Sequence, residues 1–315
     1  MPIANALIGL GANLGDRLAS LDAALEQLRQ SSDIELYRQS PWLETEPAGG
    51  PPNQTPFLNG AAWIKTELTP STLLARLHEI EQALGRERRE VWGPRKLDLD
   101  ILLYDDLVLN QRELQIPHRW LPFRGFVLDP AVVIAPDWIH PTLQKSIYDL
   151  RVQLRAIPYW FVLGGGTPDS RQALAEKLAL RFQGFHIAPL EQGESLAGEL
   201  PLRELPPRGI FISSVDWTRQ ELNPAAGLML VFPARDGNPA TSWRLEPGTK
   251  SWPFPKARLQ LCATEQEFLT TEWHSTLAPL YQSLSPLPTL NLREAAPEVL
   301  LDQAATMIAA MTPDA

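Results

Sequence analysis

The stretch WGPRKLDLDIL is the part of the sequence that most constrains how the chain can fold. In it Asp98 and Asp100 alternate with Leu97, Leu99 and Ile101. Strand side chains point alternately to the two faces of a sheet, so we predict a strand with one apolar, buried face and one acidic face. The alternation by itself equally fits a half-buried strand whose acidic face is solvated. The neighbouring residues therefore have to show what the two carboxylates do.

Length and charge narrow the class of protein. The chain has 315 residues, enough for two ordinary domains. Its net charge of −9 argues against a nucleic-acid binder and against a polybasic membrane surface, so we expect no nucleic-acid or membrane partner. Cys262 is the only cysteine, which excludes an intrachain disulfide and a cysteine-rich zinc site. We recognise no signal peptide and no membrane-spanning stretch, and we expect a cytoplasmic protein.

The first half of the chain alternates strands and helices. ALIGLGAN is predicted to be a buried strand that runs into a Gly-rich turn, and Asp16 is predicted to cap the helix that follows. The segments IELYRQSPW and FLNGAAWIKT are predicted to be strands. A helix then begins at Thr69-Pro70 and leads to the strand KLDLDILLYDD. This order favours an antiparallel α+β layer.

The pattern changes after about residue 150. YWFVLGGGTPDSRQALAEKLALRF indicates a strand, a glycine turn and a helix, and later strands alternate with helices. We expect domains at 1–157 and 158–315, the second an α/β domain of degenerate Rossmann-like or P-loop-like type. The Gly-Lys pair of a Walker A motif is missing from the glycine turn, which fits an anion site at the helix start or a plain tight turn.

A basic segment precedes the two aspartates. Five of the eleven residues in RERREVWGPRK are Arg or Lys. The favourable interaction of a cation with the C-terminal end of a helix is enough to explain Arg86. The basic segment, however, continues past Gly85 and ends one strand step from the carboxylates. Carboxylates on one strand face suit Mg²⁺, and guanidinium groups bind phosphate oxygens. The combination predicts metal-assisted phosphoryl transfer.

A second group of candidate residues follows in IPHRWLPFRGFVLDP. His118, Arg119 and Arg124 lie there beside Phe126. An aromatic ring in such a loop belongs to the core or stacks on a flat heterocycle. Asn59, in an otherwise apolar strand, needs a hydrogen-bond partner, and a bound polar ring is one candidate.

Residues 1 to about 155 resemble the 6-hydroxymethyl-7,8-dihydropterin pyrophosphokinases of tetrahydrofolate biosynthesis. The resemblance rests on segments that occur in order along the chain: GLGANLGD, SPWLETEPAG, FLNGA, IEQALGR, WGPRKLDLDIL, IPHRW, FRGFVLDP and IAPDWIHP. It implies a ferredoxin-like α+β fold. It also implies two substrates, ATP and the hydroxymethyl dihydropterin, and transfer of pyrophosphate to the pterin with release of AMP.

The resemblance implies a role for each matching residue. Two Mg²⁺ ions are bound by Asp98 and Asp100. The catalytic residues that contact phosphates or close the site are Arg86, Arg88, Arg95 and Trp92. The ATP-binding residues are His78, Glu81, His118, Arg119, Arg124 and the backbone of Ile101. The pterin-binding residues are Thr45, Pro47, Phe57, Asn59 and Phe126, with Phe57 and Phe126 on the two faces of the ring.

Two departures from the family pattern concern the arginine loop. Val91 occupies a position that is usually basic, and the loop is about one residue short, so its phosphate contacts stay open. One alternative is a catalytically retired nucleotide-binding regulatory or scaffold protein, which the intact Asp98 and Asp100 pair and His118 disfavour. Another is an enzyme with an attached interaction module, which differs only in the role of residues 160–315.

Overall fold

The structure is a computed structural model. It describes residues 2–47, 54–85, 95–155, 159–189, 199–201, 210–214, 228–232, 241–246, 257–262, 289–293 and 297–311. The chain divides into two compact units, Met1–Leu154 with Ala309–Met311 and Arg155–Ile308 with Thr312–Ala315. No helix among the described residues is long and apolar enough to cross a membrane. The predicted domain boundary after residue 157 stays a prediction.

The first unit is built around one central strand. Strand β1 pairs antiparallel with β4 on one side and with β5 on the other, in the sheet order β2-β4-β1-β5, and the short β3 pairs with β4. Apart from β3, the chain order is β-α-β-β-α-β, that of ferredoxin-like folds, which confirms the predicted α+β class. The elements are β1 (Ala4–Ala12), α1 (Arg17–Gln30), β2 (Ile34–Gln39), β3 (Leu43–Thr45), β4 (Phe57–Thr66), α2 (Pro70–Ala83) and β5 (Asp98–Tyr104).

The remainder of the first unit consists of short elements that follow β5. Helix α3 packs against β4 and β3, on the sheet face away from α1 and α2. The elements are β6 (Leu109–Asn110), β7 (Gln115–Ile116), a 3-10 helix (Leu121–Phe123), α3 (Gly125–Ile134), β8 (Ile139–His140), β9 (Lys145–Ser146) and α4 (Ile147–Arg155).

Helices α1 and α2 cover one face of the sheet and form the core with it. Both predicted helix starts are confirmed, since the side chains of Asp16 and Thr69 accept hydrogen bonds from the first turns of α1 and α2. Strand β1 extends further than predicted, because it includes both glycines of GLGAN and the turn begins only after Ala12. The main core residues are Ile8, Leu10, Leu21, Leu25, Leu28, Ile64, Leu73, Leu77, Leu97, Leu99 and Ile101.

The second unit contains a sheet with the strand order β12-β15-β14-β11-β13-β10-β16-β17. Strand β10 pairs in parallel with β13 and β16, whereas β14 runs antiparallel to its neighbours. Many residues between these strands lie outside the described ranges, so the Rossmann-like or P-loop-like class stays a prediction. The elements are β10 (Tyr159–Gly165), α5 (Pro168–Arg181), β11 (Phe185–Pro189), β12 (Glu199–Pro201), β13 (Ile210–Ser213), β14 (Leu228–Phe232), β15 (Thr241–Glu246), β16 (Ala257–Cys262), β17 (Thr289–Arg293) and α6 (Pro297–Met311).

A tryptophan ring packs directly against the backbone of β4. A Cβ atom added at Gly60 would lie 2.4 Å from Cζ3 of Trp42. The Trp42 ring is not free to move, because it packs against the core and its Nε1 donates to Asp22 Oδ1 at 3.3 Å. Glycine at position 60 is therefore required by close contact rather than by backbone conformation.

We expect Gly60→Ala to lower the free energy of unfolding by about 1–3 kcal/mol, because the added methyl group overpacks the space under Trp42. Chemical denaturation of the full chain measures the effect. Gly125→Ala is the control, since its Cβ would meet no atom closer than 3.9 Å. Equal stability of the two variants would contradict the packing argument.

Candidate active site

The sheet face away from α1 and α2 has two glycines of β1, Gly9 and Gly11, at its centre. Gly11 of β1 lies opposite Asn59 of β4 and opposite Asp98 of β5, and Gly9 lies opposite Asp100. Directly opposed residues in neighbouring strands lie on the same face of the sheet. Each glycine therefore lies between a residue of β4 that is polar or small and an aspartate of β5. Because neighbouring strands are about 4.8 Å apart, the backbones of Asn59 and Asp98 are about 10 Å apart, with Gly11 between them.

Asp98 and Asp100 lie on this face, as the alternation predicts. Their side chains are 21% and 39% exposed, whereas Leu99 and Ile101 between and after them are each 2% exposed on the helix-covered face. The guanidinium of Arg95, at the entrance of the strand, lies 2.5 Å from Asp98 Oδ2. The two carboxylates are thus accessible, and one of them already contacts a cation.

Glu81 reaches β5 from the opposite layer. Its side chain, 1% exposed on α2, accepts a hydrogen bond from the backbone N–H of Leu99 at 2.8 Å. This contact fixes the strand between the two aspartates. His78 also lies on α2, and Ile101 contributes its side chain to the core, so only the backbone of Ile101 is available to a ligand. Nucleotide contacts of these three residues stay predictions.

His118 is held beside Asp100 as a neutral hydrogen-bond donor. Its backbone N–H donates to Leu102 O at 2.8 Å, and its Nδ1 accepts from the N–H of Trp120 at 3.2 Å. The neutral ring therefore carries its proton on Nε2, which lies 3.9 Å from Asp100 Oδ2. Burial, together with the charges of Arg124 and Arg119, lowers the pKa of His118 to about 3, although Asp98 opposes the shift.

Arg124 brings a second cation to the acidic pair. It precedes α3, and its guanidinium lies 5.0 Å from the ring centre of Trp120 and 5.5 Å from that of Phe126. Burial lowers the pKa of Arg124 to about 10, and Asp100 and Asp98 counteract that shift. Arg124 is therefore charged at neutral pH. Arg119 also lies over the Trp120 ring, 5.6 Å from its centre.

Four of the predicted pterin-binding residues lie where β3 meets β4, and the fifth, Phe126, lies in the first turn of α3. Asn59 is 5% exposed, and its Nδ2 donates to Thr45 Oγ1 at 2.8 Å. Phe57 pairs with Thr45 and shares the face of Asn59, since the two are separated by one residue along the strand. Pro47 follows β3 and is half-buried. A flat ring lying on Gly11 would meet the Asn59 amide at its edge.

Some predicted residues fall outside the described part of the chain, namely Arg86, Arg88, Val91 and Trp92. Their roles stay predictions. Among the described residues there is no cluster of three or more His, Cys, Asp and Glu side chains suited to a metal ion. A pair of accessible carboxylates nevertheless fits Mg²⁺, which takes oxygen ligands and keeps waters or phosphate oxygens in its other positions.

Asn13 is a site residue that the sequence reasoning missed. Its side chain is 1% exposed, and its Oδ1 accepts the backbone N–H of Arg95 at 2.7 Å. Its Nδ2 points to Thr55 O and Gln54 Oε1 at 3.4 and 3.5 Å. The available signal was an asparagine directly after an apolar strand, because a buried amide in that position must find partners.

The glycine turn of the second unit forms a capped helix start. Thr167 and Ser170 bond reciprocally as a capping box at the first turn of α5. The buried Arg171 donates to Ser214 O at 2.9 Å, and His186 Nε2 lies 2.9 Å from Ser214 Oγ. These contacts describe a local polar network at the ends of β11 and β13, and whether the turn binds an anion stays open.

Known proteins similar to this chain match its N-terminal half. The family model of 7,8-dihydro-6-hydroxymethylpterin-pyrophosphokinase (HPPK) matches residues 7–136. The 2-amino-4-hydroxy-6-hydroxymethyldihydropteridine pyrophosphokinase of Synechocystis sp. is 42% identical over 160 residues, 51% of this chain and 81% of the relative. The enzyme of the same name from Aquifex aeolicus is 35% identical over 165 residues, 51% of this chain and 99% of the relative.

A solved structure of HPPK-DHPS in complex with substrates matches this chain with a TM-score of 0.39 and 12% sequence identity. The match covers 52% of this chain and 50% of the solved one. The chain spans most of the length of the two pyrophosphokinases reported above, and the family model covers the residues that include Asp98, Asp100, His118 and Asn59. On the identity and coverage of these relatives, the chain belongs to the HPPK family.

Proposed function

We propose that the first unit transfers pyrophosphate from ATP to the hydroxymethyl oxygen of 6-hydroxymethyl-7,8-dihydropterin, a step of tetrahydrofolate biosynthesis. The observation that carries the proposal is the register row Asn59–Gly11–Asp98. It sets a group able to recognise a polar ring about 10 Å from a carboxylate pair able to organise a polyphosphate, and the residue of β1 between them is a glycine. Family membership supports the same reaction.

The pterin is proposed to lie on the glycines of β1. Asn59, oriented by Thr45, hydrogen-bonds its edge, while Phe57 and Phe126 cover its two faces and Pro47 lines its outer side. The ring then points its hydroxymethyl group across Gly11 toward Asp98. This arrangement holds the attacking oxygen in position before reaction, which lowers the entropic part of the barrier.

The nucleotide is proposed to bind along β5. Asp98 and Asp100 would hold two Mg²⁺ ions, which neutralise phosphate charge and fix the geometry of the chain of phosphates. Arg95, Arg119 and Arg124 supply positive charge around the same phosphates, and neutral His118 donates its Nε2–H to a phosphate oxygen. In this arrangement the three arginines lie around the phosphates where negative charge develops on the leaving AMP.

The bond changes follow from this placement. The hydroxymethyl oxygen attacks the β-phosphorus of ATP, and the bond from that phosphorus to the oxygen bridging to the α-phosphate breaks. AMP leaves with the bridging oxygen, and the hydroxyl proton passes to solvent. The residues of the chain bind, orient and balance charge, and none of them needs to form a covalent intermediate.

The direct test is to incubate the purified full chain with the hydroxymethyl pterin, ATP and Mg²⁺ and to measure AMP and the pterin pyrophosphate. Equal amounts of both products are expected. Binding of ATP without formation of AMP would favour the alternative of a catalytically retired nucleotide-binding protein.

We expect Asp98→Asn and Asp100→Asn each to lower kcat by about 10²-fold or more, because a neutral amide cannot balance the charge of a bound divalent ion. Steady-state kinetics at saturating Mg²⁺ measure the loss, and circular dichroism verifies the fold. Asp106→Asn is the matched control, since Asp106 is exposed in the turn after β5. Wild-type turnover in both site variants would overturn the metal assignment.

The pH dependence of kcat/KM tests the charge state of His118. Because its pKa is lowered to about 3, His118 is neutral in the free enzyme throughout the range from pH 5.5 to 8. kcat/KM reports ionisations of the free enzyme, so no change in it over this range should come from the imidazole. His118→Gln is expected to lower kcat/KM without changing the shape of the profile. An inflection in this range that disappears in His118→Gln would contradict the assignment.

We expect a chain shortened to residues 1–157 to fold and to keep the pyrophosphokinase reaction, because every predicted site residue precedes residue 127 and the core of the first sheet lies between Ala6 and Ile116. A cooperative thermal transition together with AMP formation measures both properties. Loss of AMP formation in a cooperatively folded short chain would show that the α/β unit proposed for residues 158–315 takes part in catalysis.

A further inference from the structure

Asn13 connects the two halves of the proposed site. It follows the last residue of β1, and it bonds both to the segment that enters β5 and to the segment that enters β4. Because its side chain is 1% exposed, water has little access to replace either set of partners. The two segments lie on opposite sides of β1 in the sheet.

On the β5 side, Asn13 holds the backbone of Arg95 from both directions. Asn13 Oδ1 accepts the N–H of Arg95 at 2.7 Å, and the backbone N–H of Asn13 donates to Arg95 O at 2.9 Å. The guanidinium of Arg95 in turn lies 2.5 Å from Asp98 Oδ2. Fixing this one backbone unit therefore fixes where the cation meets the carboxylate.

On the β4 side, Asn13 holds residues 54–56. The hydroxyl of Thr55 donates to the carbonyl oxygen of Asn13, and Asn13 Nδ2 makes longer contacts of 3.4 and 3.5 Å to Thr55 O and Gln54 Oε1. Arg17 donates to Pro56 O at 2.7 Å and completes the attachment of this segment. The next residue is Phe57, and Asn59 follows in the same strand.

We propose that Asn13 is a positioning residue that sets the phosphate-binding and pterin-binding halves of the site relative to each other. The inference rests on the proposed function and adds a residue that touches neither substrate. An amide makes both contacts, because it accepts from Arg95 and donates toward residues 54 and 55. A carboxylate at this position keeps only the acceptor, and a methyl group keeps neither.

Three variants of the full chain separate the two halves. Asn13→Ala removes both side-chain contacts and should lower kcat by about 10- to 100-fold, as expected for misplaced reacting groups. Thr55→Val removes only the hydroxyl donor on the exposed loop, and it should raise the KM for the pterin by about 3- to 10-fold with kcat little changed. Asn13→Asp keeps the acceptor for Arg95 and should retain most of kcat.

Asn5→Ala is the matched control, because Asn5 lies at the other end of β1 and its side chain bonds to Asp105 and Trp63. It should lower the melting temperature without changing kcat. A kcat of Asn13→Ala no lower than that of Asn5→Ala would overturn the proposal, and so would a loss in Asn13→Asp as large as in Asn13→Ala.

Hydrogen exchange at the Arg95 amide gives a readout that does not depend on turnover. Exchange should be faster in Asn13→Ala than in the wild type and unchanged in Asn5→Ala, and unchanged exchange in Asn13→Ala would overturn the inference. If the wild-type chain forms no AMP, the proposed function fails, whereas the exchange rates still decide whether Asn13 holds Arg95.

Discussion

The register of β1 between its two antiparallel neighbours determines the geometry of the whole site. Gly11 meets Asn59 on one side and Asp98 on the other, and Gly9 meets Asp100. A shift of one residue in the pairing of β1 with β4 or with β5 would turn the glycines toward the helices. It would place Ile8 or Leu10 on the sheet face away from α1 and α2. The buried alternate residues of β1 and β5 prevent such a shift, so the same core that stabilises the fold also sets the spacing between the two halves of the site.

Neighbouring residues hold the strand and the side chains that form the candidate site. Glu81 fixes β5 from the helix layer, Trp120 fixes the ring of His118 through its backbone N–H, and Asn13 fixes Arg95. Burial lowers the pKa of both His118 and Arg124, and at pH 7 it leaves the imidazole neutral and the guanidinium charged. The site therefore combines a neutral donor with several cations around one acidic pair.

Local patterns in the sequence predicted much of the first unit. The alternation around Asp98 predicted the strand and its two faces, and Asp16 and Thr69 predicted two helix starts. The register of β1 and the role of Glu81 were not predictable in this way, because each depends on partners far away in sequence. Arg95 and Asn13, for instance, are 82 residues apart. Periodicity reports which face a residue occupies, but not which residue of another strand lies beside it.

Strand β5 is the last in the order β2-β4-β1-β5, so among the described residues one side of it has no neighbouring strand in the first sheet. Edge strands of this kind invite pairing with a strand of another molecule. Here the N–H of Leu99 is taken by Glu81 and the carbonyl of Leu102 by the N–H of His118, while two carboxylates project from the same strand. The contacts that hold β5 beside the two carboxylates therefore also protect the sheet against intermolecular strand addition.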